Sequence, residues 1–184
     1  MSAHNISVII PNYNHAAYLK QRIYSVLNQT LQPYEIIILD DCSTDNSVEI
    51  IKEFVSQYPN IRFIKNQLNS GSTFAQWNKG VDLAEGDLVW IAESDDTASP
   101  TFLQKMVHCF NDNDVVLAYC QSNRIDKDDN IKGTWKTHTD EFDKSIFSND
   151  FVMDGKVYIE RFLIHKNTIP NAVQKYLKKI AMEK

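Results

Sequence analysis

The sequence has 184 residues, of which 43% are hydrophobic and 23% are charged, an ordinary globular composition that suits one domain. Acidic residues outnumber basic ones by 24 to 19, and the net charge of −5 excludes a general nucleic-acid binder, which needs a basic surface. Three widely spaced cysteines without a CxxC pair argue against a disulfide framework or a zinc knuckle. Because the sequence has no signal-peptide pattern and no apolar run that could span a bilayer, we expect a cytoplasmic protein with reduced thiols.

Short apolar segments alternate with segments of helical period along the first two-thirds of the chain. The predicted strands are Ile6–Ile10, Glu35–Leu39, Ile61–Ile64, Leu88–Ile91 and Val115–Tyr119. The predicted helices are Ala16–Leu31, Ser43–Tyr58, Ser72–Ala84 and Pro100–Asn111. Strands that alternate with helices form a parallel sheet covered by helices, and strands that are apolar throughout are buried on both faces. The sequence therefore predicts an α/β fold with a mainly parallel sheet, and since no linker divides the chain we expect a single domain over residues 1–184.

The pattern weakens after Tyr119. A polar turn separates Ser122–Ile125 from Ile131–Trp135, which predicts a hairpin, and a helical period returns at Lys156–His165 and Val173–Met182. The last of these segments suits a terminal helix that covers the sheet, which we prefer. The alternative is an amphipathic helix that packs on a partner or on a membrane surface.

Segments rich in polar residues follow the first four predicted strands. They are Pro11–Asn14, Asp40–Ser43, Asn69–Gly71 and Glu93–Asp96. In an open parallel sheet, ligands bind beyond the carboxyl ends of the strands, so these segments are expected at one edge. Carboxylates crowded at such an edge repel one another unless a cation or hydrogen-bond donors offset their charge.

Asp95 and Asp96 are the strongest single feature of this edge. Two adjacent carboxylates at the end of a buried strand suit a hard divalent cation, which prefers oxygen ligands and keeps water and phosphates as its remaining ligands. The alternative is structural, with Asp96 or Ser99 capping the helix that begins at Pro100. Because the pair follows a buried strand, we favour the cation site.

Asp40 and Asp41 allow the same two interpretations. One is structural, with the carboxylates capping the helix from Ser43 onward, whose N-terminus Ser43 or Thr44 could also cap. The other is that one carboxylate accepts a hydrogen bond from a base or a ribose at the sheet edge. Tyr13 could stack on a planar base or simply fill a half-buried gap.

Several well-known motifs are absent from the sequence. It has neither GxGxxG nor GxxxxGK[ST], so neither a dinucleotide fingerprint nor a P-loop is supported. The five histidines show no metal-ligand spacing, and no GxSxG nucleophile motif is present. The chemistry of the predicted site therefore depends on its carboxylates.

Two long segments resemble family 2 glycosyltransferases, which have the GT-A fold. The first is SVIIPNYNHAAYLKQRIYSVLNQTLQPYEIIILDDCSTDNS, and the second is NSGSTFAQWNKGVDLAEGDLVWIAESDD, which ends in the acidic motif that binds metal in that family. The resemblance runs from about Ile6 to about Tyr119 and includes four motifs in the family's order. It implies that residues 1–120 form the nucleotide-sugar-binding half and that residues 121–184 form part of an acceptor-side region.

The resemblance also assigns roles to five residues. Pro11 and Tyr13 match positions that grip the nucleotide base, and Asp41 matches the aspartate that contacts a uracil-like base. Asp95 matches the aspartate near the ribose. Asp96 matches the ligand of a manganese or magnesium ion that bridges the two phosphates. The implied donor is a nucleoside diphosphate sugar, with a UDP-sugar favoured.

The resemblance implies an inverting transfer to a saccharide or lipid-linked acceptor, in which a carboxylate removes the proton of the acceptor hydroxyl. The family's base lies in an acidic motif well beyond the metal site. This chain ends soon after the segment at residues 162–171, so we expect a truncated or shortened chain. The remaining acidic candidates are Asp140, Glu141, Asp143 and Asp154, and none lies in a matching motif. We therefore assign no catalytic base.

A second departure lies just before Asn78, where the family often carries an arginine and this chain has Gln76 and Trp77. One basic contact to the donor is then missing or supplied elsewhere.

Two alternative functions remain: a sugar nucleotidyltransferase, or a module that binds a nucleotide-sugar without turnover. The first would need a glycine-rich basic loop near the N-terminus, which the sequence lacks. Contact with a membrane surface also remains open for the expected cytoplasmic protein.

Overall fold

The computed structural model describes residues 4–126, 128–169 and 175–178, which fall into two compact units. The first unit contains the described residues up to Ala118 together with the strand at 175–178, and the second contains those from Tyr119 to residue 169. The single domain expected over residues 1–184 stays a prediction. The predicted α/β fold with a mainly parallel sheet is confirmed in the first unit.

Six strands of the first unit form one sheet in the order β3-β2-β1-β4-β8-β5. They are β1 (Ile6–Asn12), β2 (Glu35–Asp40), β3 (Ile61–Lys65), β4 (Leu88–Ile91), β5 (Leu117–Ala118) and β8 (Lys175–Lys178). The first four are parallel, while β8 pairs antiparallel with both β4 and β5. Every residue of β1, β2 and β4 is buried, as their continuous apolar sequences predict.

Four helices connect these strands. They are α1 (Ala16–Leu27), α2 (Ser47–Val55), α3 (Thr73–Leu83) and α4 (Phe102–Val107), the last continued by a 3₁₀ turn at His108–Asn111. The prediction that α2 begins at Ser43 and is capped by Ser43 or Thr44 is wrong. Its first turn follows Asn46, because the Ser43 hydroxyl instead accepts hydrogen bonds from the Asn14 amide and the Asn12 side chain.

Helix α3 packs on the face of the sheet that carries Ile9, Ile37 and Val89. Gly80 permits the close approach, since a Cβ added there would lie 2.5 Å from Cγ2 of Ile9. This contact holds α3 against β1, and a bond from Gln76 to Asp41 holds its first turn beside the carboxyl end of β2. The polar residues that precede α3 are thereby held at that edge.

The second unit begins with the predicted hairpin, which is confirmed. Its remaining elements are β6 (Asn123–Ile125), β7 (Ile131–Thr134), α5 (Lys136–Asp143), a 3₁₀ turn at Ile146–Ser148, α6 (Gly155–Tyr158) and a π-helical turn at Ile159–Leu163. The helical period predicted over Lys156–His165 is confirmed by α6 and the turn that continues it. Phe147, Tyr158 and Phe162 pack their rings together as a small aromatic core.

The helix predicted over Val173–Met182 is wrong where it can be compared, because Lys175–Lys178 is the strand β8. Residues 173–174 and 179–182 of that prediction lie outside the described residues. Pairing explains the difference: β8 satisfies backbone groups of β4 and β5 that would otherwise form open sheet edges. Among the described residues, no helix has both the length and the apolar character needed to cross a lipid bilayer.

Candidate functional site

The polar segments predicted at the carboxyl ends of the parallel strands do meet at one edge of the sheet. Asn12 at the end of β1 is in register with Asp40 at the end of β2, and Asp40 is in register with Lys65 of β3. Strand β4 lies on the other side of β1, where Ile91 is opposite Ile9. The loops that follow all four strands therefore surround the end of β1.

Asp40 organises the loop between β2 and α2. Its buried carboxylate accepts hydrogen bonds from the Asn12 side chain at 2.9 Å and from the Ser43 backbone amide at 3.0 Å. Cys42, in the same loop, has a positive φ of 65° and is half-buried. Asp40 thus holds the loop that precedes α2. The prediction that the carboxylates of Asp40 and Asp41 cap this helix is wrong, because α2 begins at Ser47 and no side chain forms a cap hydrogen bond there.

Asp41 is the centre of a denser network. Its carboxylate accepts hydrogen bonds from Asn66 Nδ2 at 2.6 Å, Ser70 Oγ at 2.7 Å, Ser70 N at 2.9 Å and Gln76 Nε2 at 2.9 Å. Lys79 extends the network by donating to Asn66 Oδ1 at 2.5 Å. These bonds fix the loop between β3 and α3 against the end of β2. The contact of Asp41 with a base stays a prediction.

The acidic segment after β4 folds into a tight turn, closed by a bond from the Asp96 amide to the Glu93 carbonyl at 3.3 Å. Ser94 is buried and its hydroxyl lies 2.7 Å from His15 Nδ1, whereas Asp95 is exposed and Asp96 is half-buried. We refer to residues 93–96 as the acidic turn. Its place directly after a buried strand agrees with the predicted position.

Two carboxyls of the acidic turn are held in an unfavourable environment for negative charge. Burial and the neighbouring charge of Asp95 raise the pKa of Asp96 to about 6. Burial raises the pKa of Glu93 to about 7, with the charges of Asp95 and Asp96 adding to the effect and a bond from Trp77 opposing it. A cation placed at this turn would favour the ionised forms.

The alternative interpretation of Asp96 and Ser99 as helix caps is wrong. Helix α4 begins at Phe102, its N-cap residue is Thr101, and no side chain forms a cap hydrogen bond there. The Asp96 carboxylate therefore does not cap a helix.

Neighbouring residues of α3 reach the two acidic segments. Gln76 donates to Asp41, and Trp77 Nε1 donates to Glu93 Oε1 at 2.8 Å. On the other side of β1, Asn14 N donates to Ser43 Oγ, and His15 contacts Ser94. Helix α3 thus bonds to Asp41 and to the acidic turn, and the loop after β1 bonds to the loop that contains Asp41 and to the acidic turn. At position 77 an indole donor to the turn takes the place of a basic contact.

Pro11 and Tyr13 lie in and just after the end of β1. Pro11 is buried opposite Leu39, while Tyr13 leaves 47% of its surface exposed. The exposed ring is available for stacking, but the roles of both residues stay predictions.

Sequence analysis missed Arg22, which lies in α1 and donates from Nε to the Glu93 carbonyl at 2.6 Å. The available signal was an arginine within the apolar stripe formed by Leu19, Ile23 and Val26, all of which are buried. A charged residue at such a position is rare unless it is paired.

The number of side chains that could hold a metal ion at this edge is small. Among the residues that the structure describes, no group of three or more His, Cys, Asp or Glu side chains could hold a metal ion. A cation that takes most of its ligands from water and phosphate needs only one or two protein carboxylates. The donor set of Asp95 and Asp96 fits such an ion.

Relatives with similar sequences are glycosyltransferases. The chain is 36% identical over 121 residues to the uncharacterized glycosyltransferase YibD of Escherichia coli (strain K12), covering 66% of this chain and 35% of that protein. It is 44% identical over 111 residues to the uncharacterized glycosyltransferase alr2836 of Nostoc sp., covering 60% of this chain and 34% of that protein. The chain thus spans about a third of the length of these curated relatives.

Solved structures with the GT-A fold are also similar. TarS 1–349 of S. aureus in complex with UDP has a TM-score of 0.56 and 27% identity, over 61% of this chain and 34% of that one. The mannosyltransferase PcManGT from Pyrobaculum calidifontis, in complex with GDP-Man and Mn²⁺, has a TM-score of 0.60 over 67% of this chain and 37% of that one. Because the two sequences are only 22% identical, this similarity supports the fold alone. Residues 7–169 match the family described as glycosyl transferase family 2, and the chain therefore belongs to that family.

Proposed function

We propose that this chain binds a nucleoside diphosphate sugar at the carboxyl edge of its parallel sheet, with a UDP-sugar favoured, and transfers the sugar to a saccharide or lipid-linked acceptor. Support comes from the family and from the similar TarS structures, which were solved with UDP and with UDP-GlcNAc. The matched part of the chain covers only about a third of each relative, so the transfer activity of the whole protein belongs to this proposal. A cytoplasmic location and contact with a membrane surface belong to it as well.

The observation that carries the proposal is the acidic turn. Asp95 and Asp96 lie side by side at the end of a buried strand, where burial and mutual repulsion raise the pKa of Asp96 to about 6. We assign Asp96 as the ligand of a divalent cation, Mn²⁺ or Mg²⁺, whose other ligands would be donor phosphates and water. When bound, the cation would offset the negative charge that develops on the departing diphosphate.

The other half of the site would hold the nucleoside. Tyr13 has an exposed ring for stacking on the base, and Pro11 shapes the strand end beneath it. Asp41 would accept a hydrogen bond from the base, and Asp95 would contact the ribose. Asp41 is pre-organised for this role because Asn66, Ser70 and Gln76 fix its carboxylate.

The reaction proposed is an inverting transfer. The acceptor hydroxyl would attack the anomeric carbon from the face opposite the diphosphate, so the C–O bond to the diphosphate breaks as the new one forms. A carboxylate would take the proton of the hydroxyl. No residue of this chain is assigned as that base.

Calorimetry of UDP and GDP with and without Mn²⁺ tests the proposal. Wild-type protein should bind UDP at least about tenfold more tightly with Mn²⁺, or ~1.4 kcal/mol. Asp96→Asn should remove this increment while leaving metal-free UDP binding unchanged. Asp82→Asn, at an exposed aspartate of α3, is the matched control and should behave as wild type.

Two results would overturn the proposal. If neither UDP nor GDP binds the wild-type protein with Mn²⁺, the donor site is rejected. If Asp96→Asn keeps the full Mn²⁺ increment, Asp96 is rejected as the metal ligand. Release of UDP from UDP-GlcNAc, compared across a panel of donors, would then identify the sugar.

A further inference from the structure

Arg22 occupies a position where a charged side chain is costly. It lies on the buried face of α1 with Leu19, Ile23 and Val26, and none of its surface is exposed. A buried charge lowers stability unless nearby groups of opposite charge or hydrogen bonds compensate for it. An aliphatic residue would suit the core at this position better, so the arginine calls for another explanation.

The guanidinium lies directly behind the acidic turn. Its Nε donates to the Glu93 carbonyl at 2.6 Å, and its Cζ lies 5.6 Å from the centre of the Trp90 ring on β4. Burial lowers the pKa of Arg22 to about 10, while the carboxylates of Asp96, Glu93 and Asp95 act in the opposite direction. The guanidinium therefore stays charged at neutral pH, and its compensating charges all belong to the acidic turn.

The two terminal nitrogens of Arg22 are buried and have no hydrogen-bond partner among the described residues. Each buried donor without a partner lowers stability, and the loss is greater when the group is charged. A side chain selected only to stabilise the core would not leave both unpaired. The arrangement makes sense if the charge itself is needed beside the carboxylates.

The bond to the Glu93 carbonyl also gives Arg22 control over the shape of the turn. That same carbonyl accepts the bond from the Asp96 amide that closes the turn. The Glu93 carbonyl oxygen thus connects the Arg22 side chain to the backbone of Asp96, the residue assigned as the ligand of the cation. A change at Arg22 is transmitted to Asp96 both through this atom and through its charge.

We propose that Arg22 is a positioning residue for the donor site, which holds the acidic turn closed and balances its negative charge so that Asp95 and Asp96 stay side by side for a cation. This inference rests on the proposed function, because it gives Arg22 its role through Asp96. Arg22 is fully buried and is not assigned any contact with the sugar or the nucleotide.

Arg22→Met tests the role, since methionine fills the apolar site without a charge or a donor. Replacing a buried charge with a well-packed apolar residue is often neutral or stabilising, so the urea midpoint of unfolding should not fall. The Mn²⁺-dependent gain in UDP affinity, measured by calorimetry, should fall at least about fivefold. Metal-free UDP binding should stay within about twofold of wild type. Arg22→Lys, which keeps the charge, should restore part of the gain.

A double-mutant cycle with Asp96→Asn separates this role from a general structural one. If Arg22 acts through Asp96, then Arg22→Met has no further effect on Mn²⁺-dependent binding in the Asp96→Asn background. Lys20→Met is the control for the helix, because Lys20 is exposed on α1 and pairs with Glu53. It should leave both metal-free and Mn²⁺-dependent binding unchanged.

The outcomes are distinguishable. Failure of the wild-type protein to bind UDP with Mn²⁺ rejects the proposed function. Wild-type binding with an unchanged or larger Mn²⁺ gain in Arg22→Met rejects the positioning role alone, as does an equal loss of metal-free and Mn²⁺-dependent binding. If Arg22→Met does not fold, Arg22→Gln provides the same comparison, because it keeps a donor for the Glu93 carbonyl without the charge.

Discussion

Asp41→Ala should destabilise the protein even without any ligand. The substitution removes the acceptor for Asn66, Ser70 and Gln76, which bind the carboxylate at distances of 2.6 to 2.9 Å. Gln76 is buried, so its amide would lose an acceptor in a place that water does not readily reach. The loop before α3 would lose its bonds to the Asp41 carboxylate and keep the bonds from Asn69 and Asn66 to the backbone carbonyls of Asp41 and Asp40.

The magnitude follows from these bonds. A hydrogen bond to a charged group contributes about 1.5–3 kcal/mol, but bonds that share one acceptor are not additive. We therefore expect Asp41→Ala to lower the free energy of unfolding by ~3 kcal/mol, in the range for broken buried networks. For a chain of this size that corresponds to a fall of roughly 6–12 °C in the melting temperature. Urea unfolding followed by tryptophan fluorescence measures the change.

Two further variants make the test specific. Asp82→Ala removes an exposed carboxylate from α3 and should change stability by less than about 0.5 kcal/mol. Asp41→Asn keeps one acceptor oxygen for Asn66 and Gln76 and should lose only part of the stability. If Asp41→Ala and Asp82→Ala unfold with the same free energy, the network does not support the loop and the reasoning is refuted.

Two more predictions concern the other end of β1. Gly86→Ala should lower the free energy of unfolding by about 1–3 kcal/mol in urea titrations, because the new Cβ would lie 2.7 Å from the Asn5 carbonyl oxygen and 2.8 Å from the Ser7 amide. If Gly86→Ala unfolds with the wild-type free energy, the backbone shifts to accommodate the new Cβ and the prediction is wrong. Glu35 is buried, which works against ionisation, but bonds from a backbone amide, Ser7 and Arg62 lower its pKa below the ordinary 4.5. The ionised Glu35 therefore contributes fully to the free energy of unfolding above about pH 5, and this contribution is lost as the pH falls. The difference in the free energy of unfolding between wild type and Glu35→Gln should accordingly become smaller on acidification. A difference that stays constant with pH would contradict this.

The sheet and the polar segments at its carboxyl edge could be predicted from the sequence because both depend on short-range patterns. Four apolar strands that alternate with helical segments allow few arrangements, and parallel strands bring their carboxyl ends together. The places of Asp40–Asp41 after β2 and of Asp95–Asp96 after β4 follow from this pattern, whereas the choice of Asp41 within its pair came from the family resemblance. No knowledge of side-chain contacts was needed for that step.

Other features depend on contacts between distant residues, which sequence patterns do not specify. The segment Lys175–Lys178 has a helical period, yet it pairs with β4 and β5, and tertiary pairing overrides local preference. Ser43 looks like a helix cap, but its hydroxyl is bound to residues near the end of β1, about thirty positions away. Arg22 was overlooked for the same reason, since its partner is 71 residues further along the chain.

The acidic turn and Arg22 are best understood together. The turn gathers Glu93, Asp95 and Asp96 at a partly buried strand end, which raises the pKa of Glu93 and Asp96 and disfavours their ionised forms. Arg22 opposes this effect from the buried side, but its fixed charge is itself desolvated and only one of its nitrogens is bonded. The three carboxyl groups of the turn thus face one fixed positive charge, Arg22, while His15 adds a favourable interaction with Asp96. A divalent ion on the open side, next to exposed Asp95, would complete the balance, and it would also explain why the fold retains an arrangement that lowers the stability of the metal-free chain.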